Sequence, residues 1–240
     1  MKKLILFLTI LSFITISSFA QKTKKKSFCR CDTISIMQDT LDVSLIVYTP
    51  INSTLELSAT RPDSNSNTLF CVPAAFTAKN YKEIVGKFVG KDTIINNPTE
   101  KENGICWFQN NKVYIGEIED SLAYYTNALS NPNTYYFQQM LLIHNSTKIE
   151  CTIFGKQKPT FRRALAIKNN RPYVVESLNR MNIGDFTDVM IQQGYTEAIY
   201  LDMGTWSEGF FIDKDNTRHS IGNLRYNTKH QTNWLLFSNK

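Results

Sequence analysis

Short apolar runs that stop at turn-forming residues are the feature that most restricts the fold of this 240-residue sequence. Residues 105–108 and 113–115 are mostly apolar and flank a turn at 109–112, and a second pair of such runs flanks Asn169 and Asn170. Asparagine tolerates the positive φ that tight hairpin turns need, so both segments are predicted to be β-hairpins. Further apolar or β-branched runs indicate strands at 33–37, 43–48, 54–57, 69–77 and 233–237.

Helical periodicity is confined to a few segments. The clearest helix begins after Asn182, a favourable N-cap residue, and ends before Gly194, which suits the positive φ of a C′ position. A second short helix is predicted over 122–129, before Asn131 and Pro132. Many strands and few helices predict an α+β fold, in which a single domain contains a mixed, mostly antiparallel sheet and a few packed helices.

The first twenty residues have the pattern of a secretory signal peptide. Two lysines precede an apolar run at 4–16 that is too short to span a bilayer comfortably. Ser18 and Ala20 then supply small residues at the −3 and −1 positions of a cleavage site. We therefore expect residues 1–20 to be removed and the mature protein to be secreted or periplasmic.

Most of the excess positive charge lies outside the predicted domain, which covers 33–240. The formal net charge is +6, but six lysines fall in the signal peptide or in a basic tail at 21–32 that is expected to be flexible. The remainder is about neutral, which argues against binding to nucleic acid, because that function needs a basic patch on the folded domain. The three histidines lack the spacing of metal ligands, so neither a metal nor a cofactor is expected.

One junction between a strand and a loop carries a cluster of polar groups. The apolar run at 198–201 ends in Asp202. Many functional sites hold a carboxylate and hydroxyls at the point where a core strand opens into a turn. Aspartate, however, also caps such turns by bonding to the backbone. The spacing alone favours the capping interpretation. The loop that follows carries Gly204, Thr205, Trp206 and Ser207.

Two other segments place polar side chains in apolar surroundings. Arg162 and Arg163 open a core strand, where a buried guanidinium would need an anionic partner; the alternative is that both lie in water. Gln138 and Gln139 interrupt the apolar run at 135–143. Strand alternation favours one glutamine facing solvent, and a buried one would need hydrogen-bond partners.

The order of five segments in the chain resembles that of the phosphodiester glycosidase family. Members of this family typically carry Leu-Asp-Gly-Gly-Gly-Ser late in the chain, and this sequence keeps Leu201, Asp202, Gly204 and, with one extra loop residue, Ser207. The family's early Asn-Gly-Gly-Phe-Phe-like segment is replaced here by residues 73–77. The five segments lie at 72–77, 137–140, 162–167, 181–186 and 198–204.

The resemblance implies an exported hydrolase that cleaves a sugar from a phosphodiester. Arg162 matches the family's arginine before a hydrophobic strand and can bind an anionic phosphodiester, while Asp202 can act as nucleophile, base or oxocarbenium stabiliser. Ordinary glycosidases use two carboxyl groups, and Glu197, Glu208 and Asp213 are equal candidates for the second. The substrate-binding residues that we expect are Gly204, Thr205, Ser207, Gln139, Thr77 and Trp206.

A non-catalytic envelope protein on the same scaffold is the second hypothesis. The lost glycines leave less room for backbone amides to approach a ligand, and a fold does not determine a function. Such a protein would bind a glycan or an anionic polymer in a shallow groove lined by Trp206 and Tyr226, and Asp202→Asn would not abolish binding. Under either hypothesis the expected partner is a phosphorylated carbohydrate or a cell-envelope glycan.

Overall fold

A computed structural model describes residues 25–38, 41–63, 66–98, 102–150, 158–203, 208–222 and 230–240. The signal peptide predicted at 1–20 lies outside these ranges. Within them, no helix is both long enough and apolar enough to cross a membrane.

The described chain contains seventeen strands, two α-helices and one 3-10 turn at Ile118–Asp120. The helices are α1 (Ser121–Ser130) and α2 (Ile183–Gln192). The strands are β1 (Phe28–Gln38), β2 (Leu41–Ile51), β3 (Ser53–Ser58), β4 (Thr68–Pro73), β5 (Phe88–Val89), β6 (Ile94–Ile95), β7 (Gly104–Gln109), β8 (Lys112–Glu117), β9 (Thr134–Gln139), β10 (Leu141–His144), β11 (Thr147–Lys148), β12 (Arg163–Lys168), β13 (Arg171–Ser177), β14 (Glu197–Tyr200), β15 (Gly209–Ile212), β16 (Arg218–Ile221) and β17 (Trp234–Asn239).

The α+β class predicted from the sequence is wrong, because the chain is built mainly of antiparallel β-sheet. Every pairing between the strands described above is antiparallel, so the expected mixed sheet is not found among them. The two helices found within the described residues are each only ten residues long. Antiparallel neighbours can be joined by tight turns, which leaves little need for helical crossovers.

The strands form three sheets that share one apolar core. The first sheet has the order β1-β2-β13-β12-β14-β10-β11, the second β16-β15-β4-β17-β3, and the third β6-β5-β9-β7-β8. Leu165 of the first sheet, Phe70 and Phe237 of the second and Phe137 of the third belong to one buried cluster. The rings of Phe70 and Phe237 stack with centroids 4.3 Å apart. Burial of these large apolar side chains is the main force that holds the sheets together.

The two predicted asparagine turns are confirmed. Asn110 and Asn111 have φ of 49° and 66°, and Asn169 and Asn170 have φ of 51° and 57°, in the turns of the β7–β8 and β12–β13 hairpins. Strand β4 ends at Pro73, as expected of a residue that cannot donate to a central ladder. The N-terminal boundary differs, since residues 28–32, assigned to a flexible tail, are part of β1.

Helix α2 connects two strands of the first sheet. Strands β13 and β14 are both antiparallel to β12, which lies between them, so they run in the same direction and need a crossover. Asn182 is the N-cap residue in an extended conformation, and its side chain donates to Asp185 rather than to a helix N–H. Phe186 and Val189 face the sheet in a buried cluster. The helix predicted between Asn182 and Gly194 is therefore confirmed.

A buried ion pair joins β12 to β13. Arg163 lies directly opposite Glu176, and its Nη2 and Nε atoms are 2.8 Å and 3.1 Å from the Glu176 Oε2 atom. The Arg163 side chain is 0% exposed and that of Glu176 is 6% exposed. Arg163 therefore has the anionic partner that a buried guanidinium requires, and the alternative of a solvated strand end is wrong.

Glu176→Gln is expected to lower the free energy of unfolding by about 3 kcal/mol or more, because the Arg163 charge stays buried without its counter-charge. Urea denaturation measures this change. Asp32→Asn is the matched control, since it removes the carboxylate of the exposed pair that Arg30 and Asp32 form. The control should cost at most about 1 kcal/mol, and equal effects of the two substitutions would contradict a buried ion pair.

Candidate functional site

Asp202 lies where the first and second sheets meet. The N–H of Leu201 donates to the carbonyl of Arg163 at 2.9 Å, which continues the pairing of β14 with β12. One residue later the chain changes partner, and the N–H of Asp202 donates to the carbonyl of Ala74 at 2.9 Å, just beyond β4. The backbone of Asp202 is thus fixed to the second sheet while the residue before it is fixed to the first.

The strand register places Asp202 opposite Arg162. Ala164 pairs with Tyr200 across β12 and β14, so two further steps along the same register bring Arg162 across from Asp202. Residues two apart in a strand share a face of the sheet, so Arg162, Tyr200 and Asp202 lie on one face. Arg162 is 1% exposed and Asp202 is 7% exposed. The structure therefore brings together the two residues that the sequence proposed as catalytic.

The hydrogen bonds of Arg162 tie three segments to this face. Its Nε atom donates to the carbonyl of Met181 at 3.1 Å, and its backbone N–H donates to Ser177 Oγ at 2.8 Å. Its side chain also forms a hydrogen bond with Tyr200. Burial raises the pKa of Tyr200, the Arg162 charge acts in the opposite direction, and the Asp202 charge raises the pKa further. The Tyr200 hydroxyl therefore stays protonated and lies within the electrostatic range of both charges.

A buried asparagine holds the segment that follows β4. Asn233 Oδ1 accepts from the N–H of Ala75 at 2.7 Å, and Asn233 Nδ2 donates to the carbonyl of Ala75 at 2.9 Å. These two bonds continue the β17–β4 ladder beyond its last backbone pair. The hydroxyls of Thr77 and Thr232 lie 3.0 Å apart and add a third link. Thr77, one of the predicted substrate-binding residues, is thus on the segment that contacts Asp202.

Gln139 is buried beside β14, the strand that leads to Asp202. Its Oε1 atom accepts from the N–H of Met140 at 2.9 Å, and the carbonyl of Met140 accepts from the N–H of Tyr200 at 2.9 Å. Its Nε2 atom is buried and makes no hydrogen bond to the rest of the described chain. Gln138 and Gln139 are 2% and 0% exposed, so the prediction that one of them faces solvent is wrong. Strand β9 is covered on both faces, which removes the alternation.

Four of the predicted substrate-binding residues and one aromatic residue lie outside the described ranges. They are Gly204, Thr205, Trp206, Ser207 and Tyr226.

Two of the three candidates for a second carboxyl group lie away from Asp202. Glu197 is at the other end of β14, about 16 Å along an extended strand. Its carboxylate lies 2.9 Å from His144 Nδ1. Asp213 follows the far end of β15, where it is 2.7 Å from His219 Nε2.

Glu208 lies at the same edge as Asp202. Phe210 pairs with Cys71 across β15 and β4, so two further steps along that register place Glu208 opposite Pro73, one residue before the carbonyl that binds Asp202. The Glu208 carboxylate forms an ion pair with Arg61. Among the three candidates, Glu208 is the one that the fold brings near Asp202.

Sequence reasoning missed Tyr200 and Asn233. Tyr200 belongs to the apolar run at 198–201, and its position two residues before Asp202 places both side chains on one face. Asn233 begins the last predicted strand, at 233–237. Its partner Ala75 is 158 residues away along the chain, and no local pattern indicates that contact.

The assembled groups can perform charge-dependent chemistry. A carboxylate held beside a guanidinium and a phenolic hydroxyl can accept a proton, attack an electrophilic carbon or stabilise a positive charge. Within the described ranges, no three histidine, cysteine, aspartate or glutamate side chains are grouped to hold a metal ion.

The fold is similar to that of a solved glycosidase domain. The catalytic domain of zebrafish N-acetylglucosamine-1-phosphodiester alpha-N-acetylglucosaminidase, auto-inhibited by its pro-peptide, matches with a TM-score of 0.65 and 11% identity, over 91% of this chain and 85% of that chain. A hypothetical protein from Synechocystis matches with a TM-score of 0.53 and 12% identity, over 88% of this chain and 62% of that chain.

No protein-family model matches the sequence, and no curated protein matches it significantly. At 11% identity the likeness to the zebrafish domain is one of fold alone. The chain therefore has a β-rich fold like that of a phosphodiester glycosidase.

Proposed function

We propose that this protein is an exported hydrolase that cleaves a sugar from a sugar phosphodiester. The observation that carries the proposal is the placement of Arg162 and Asp202 on one face, at the edge where two sheets meet. The similar zebrafish domain is named for the hydrolysis of an N-acetylglucosamine-1-phosphodiester, which supports the same class of substrate. The signal-peptide pattern of residues 1–20 supports export.

In the proposed reaction, the bond between the anomeric carbon and the phosphate-ester oxygen breaks. The bonding electron pair leaves on the phosphomonoester, and water supplies the hydroxyl of the released sugar. Asp202 provides the negative charge that faces the cationic anomeric carbon. This holds whether water attacks the sugar directly or hydrolyses a covalent glycosyl-enzyme intermediate. A phosphomonoester is already a good leaving group, so strong help from a general acid is less necessary.

Arg162 takes a different role from the one that its sequence position first indicated. Arg162 is 1% exposed, and its side chain is bonded to the Met181 carbonyl and to Tyr200. We therefore assign it the positioning of Tyr200 and Asp202, while its positive charge stabilises the carboxylate and attracts the phosphodiester. Direct hydrogen bonds to the phosphate are assigned to residues 204–207.

Glu208 is the proposed second carboxyl group. It shares the edge of the second sheet with the Asp202 backbone contact, whereas Glu197 and Asp213 lie at the far ends of their strands. Its ion pair with Arg61 keeps the carboxylate in a defined position.

Asp202→Asn should lower kcat/KM by about a thousandfold, because the neutral amide cannot replace the reacting carboxylate. The assay uses N-acetylglucosamine 1-phosphate esterified with para-nitrophenol. The products expected are free reducing N-acetylglucosamine and nitrophenyl phosphate, so colour develops only after alkaline phosphatase is added. Asp215→Asn, at an exposed turn, is the matched control and should keep full activity.

Three outcomes of this assay would contradict the proposal. Colour without phosphatase would show cleavage on the other side of the phosphorus, as in an ordinary phosphodiesterase. Full activity in Asp202→Asn would show that the reaction does not require the Asp202 carboxylate. Tight binding without turnover, unchanged in Asp202→Asn, would support the non-catalytic alternative instead.

Asn233→Ala should lower the free energy of unfolding by about 2–3 kcal/mol, since it leaves the buried N–H and carbonyl of Ala75 without partners. The same change should lower kcat/KM by about a hundredfold, because the segment that positions Asp202 is released. Urea denaturation and the coupled assay, run at a temperature where the variant is folded, measure the two effects.

Asn179→Ala provides the control for this substitution. Asn179 is exposed, and its side chain accepts one solvent-exposed bond from the N–H of Ser44 at 3.2 Å. It should cost at most about 1 kcal/mol and leave kcat/KM unchanged. Asn233→Ala with normal kcat/KM would show that the segment after β4 does not position the site.

A further inference from the structure

A cavity lies at the opposite end of the first sheet from Asp202. Its volume is about 430 Å³, within the range of about 300–1,000 Å³ found for small-molecule sites. It forms between the first sheet and the β7–β8 hairpin of the third sheet. Glu197, the first residue of β14, lines it, whereas Asp202 follows the other end of that strand. The cavity is therefore separate from the candidate catalytic site.

The turns of three hairpins contribute asparagines to this cavity. Asn111 is fully used by the fold, because its side chain accepts from the N–H of Leu55 and donates to the carbonyl of Ser53. Asn145 and Asn170 also line the cavity, and their side-chain amides make no hydrogen bond to any other described residue. Each amide offers donors and an acceptor to a ligand that carries hydroxyl groups.

The charges around the cavity leave an excess of positive charge. The Glu197 carboxylate is already satisfied, since its Oε2 lies 2.9 Å from His144 Nδ1 and its Oε1 accepts from the N–H of Asn145 at 3.0 Å. Lys112 and Arg171 are exposed at the rim, and neither forms an ion pair within the described part of the chain. An arginine without a partner at a concave site suits a carboxylate or phosphate group.

One aromatic side chain in the cavity wall is held rigidly. The Tyr114 ring stacks on Tyr124 with centroids 4.1 Å apart, and its hydroxyl bonds to Asp120. The Tyr114 side chain therefore needs little ordering when a ligand binds. A fixed aromatic surface beside amide groups is a combination that suits sugar rings, which present both apolar C–H faces and hydroxyls.

We propose that this cavity binds an acidic saccharide, with Lys112 and Arg171 contacting its carboxylate or phosphate and the amides of Asn145 and Asn170 contacting its hydroxyls. This second site lies about 16 Å along β14 from Asp202 and does not depend on the reaction assigned there. Such a site would retain the protein on an acidic glycan independently of turnover.

Isothermal titration calorimetry on the mature protein tests this proposal with three probes. Cellobiouronic acid and cellobiose 1-phosphate carry one acidic group each, and cellobiose is the uncharged match. At least one acid should bind, and Lys112→Met/Arg171→Met should weaken that binding about tenfold or more, because two favourable charge interactions are lost. The result with each acid distinguishes a carboxylate from a phosphate as the group recognised.

Matched variants make the result specific to the cavity. Lys82→Met/Arg30→Met removes the same charge from exposed positions outside the cavity and should leave binding unchanged. Asp202→Asn should also bind normally, which separates this site from the proposed catalytic one. Asn170→Asp adds a negative charge at a turn position that aspartate tolerates, and should weaken the acid without unfolding the protein.

Several results would overturn the proposal. Absence of binding by both acids, or equal binding of cellobiose and the acids, would exclude recognition of an acidic saccharide here. An equal loss of binding in Lys82→Met/Arg30→Met would show that the overall charge of the protein, and not the cavity, explains the effect. Loss of binding in Asp202→Asn alone would place the acid in the other site.

Discussion

Two adjacent buried arginines at the start of β12 are the constraint on which the arrangement of the site depends. Strand alternation sends their side chains to opposite faces of the first sheet, and each guanidinium must find acceptors there because burial of an unsatisfied charge is very costly. Arg163 finds Glu176 on the neighbouring strand. Arg162 finds the Met181 carbonyl and Tyr200, which draws the start of α2 and the end of β14 together.

The result is a candidate site that rests on the ends of two sheets. Asp202 is bonded through its backbone to Ala74, and Ala75 is held by both polar atoms of the Asn233 side chain. Side chains anchored to rigid elements keep their geometry better than side chains anchored to loops alone. This arrangement supports the proposal that Asp202 is a positioned carboxylate.

Local parts of the fold could be predicted from the sequence because they depend on neighbouring residues. The asparagine turns determine two hairpins. The turn at Asn169 and Asn170 also sets the register that places Arg163 opposite Glu176. The predicted α+β class is wrong because strand pairings such as β4 with β17 join distant parts of the chain. The contact between Asn233 and Ala75 is equally remote, so the residue that supports the site could not be inferred from its surroundings in the sequence.

The most direct test of the central claim is a crystal structure of the protein soaked with N-acetylglucosamine and phosphate. The account predicts that the sugar binds with its anomeric carbon about 3–3.5 Å from the Asp202 carboxylate. It also predicts phosphate beside the loop that follows β14, with the Arg162 guanidinium beneath both. Sugar and phosphate bound elsewhere, or Arg162 and Asp202 side chains on opposite faces of the sheet, would contradict the account.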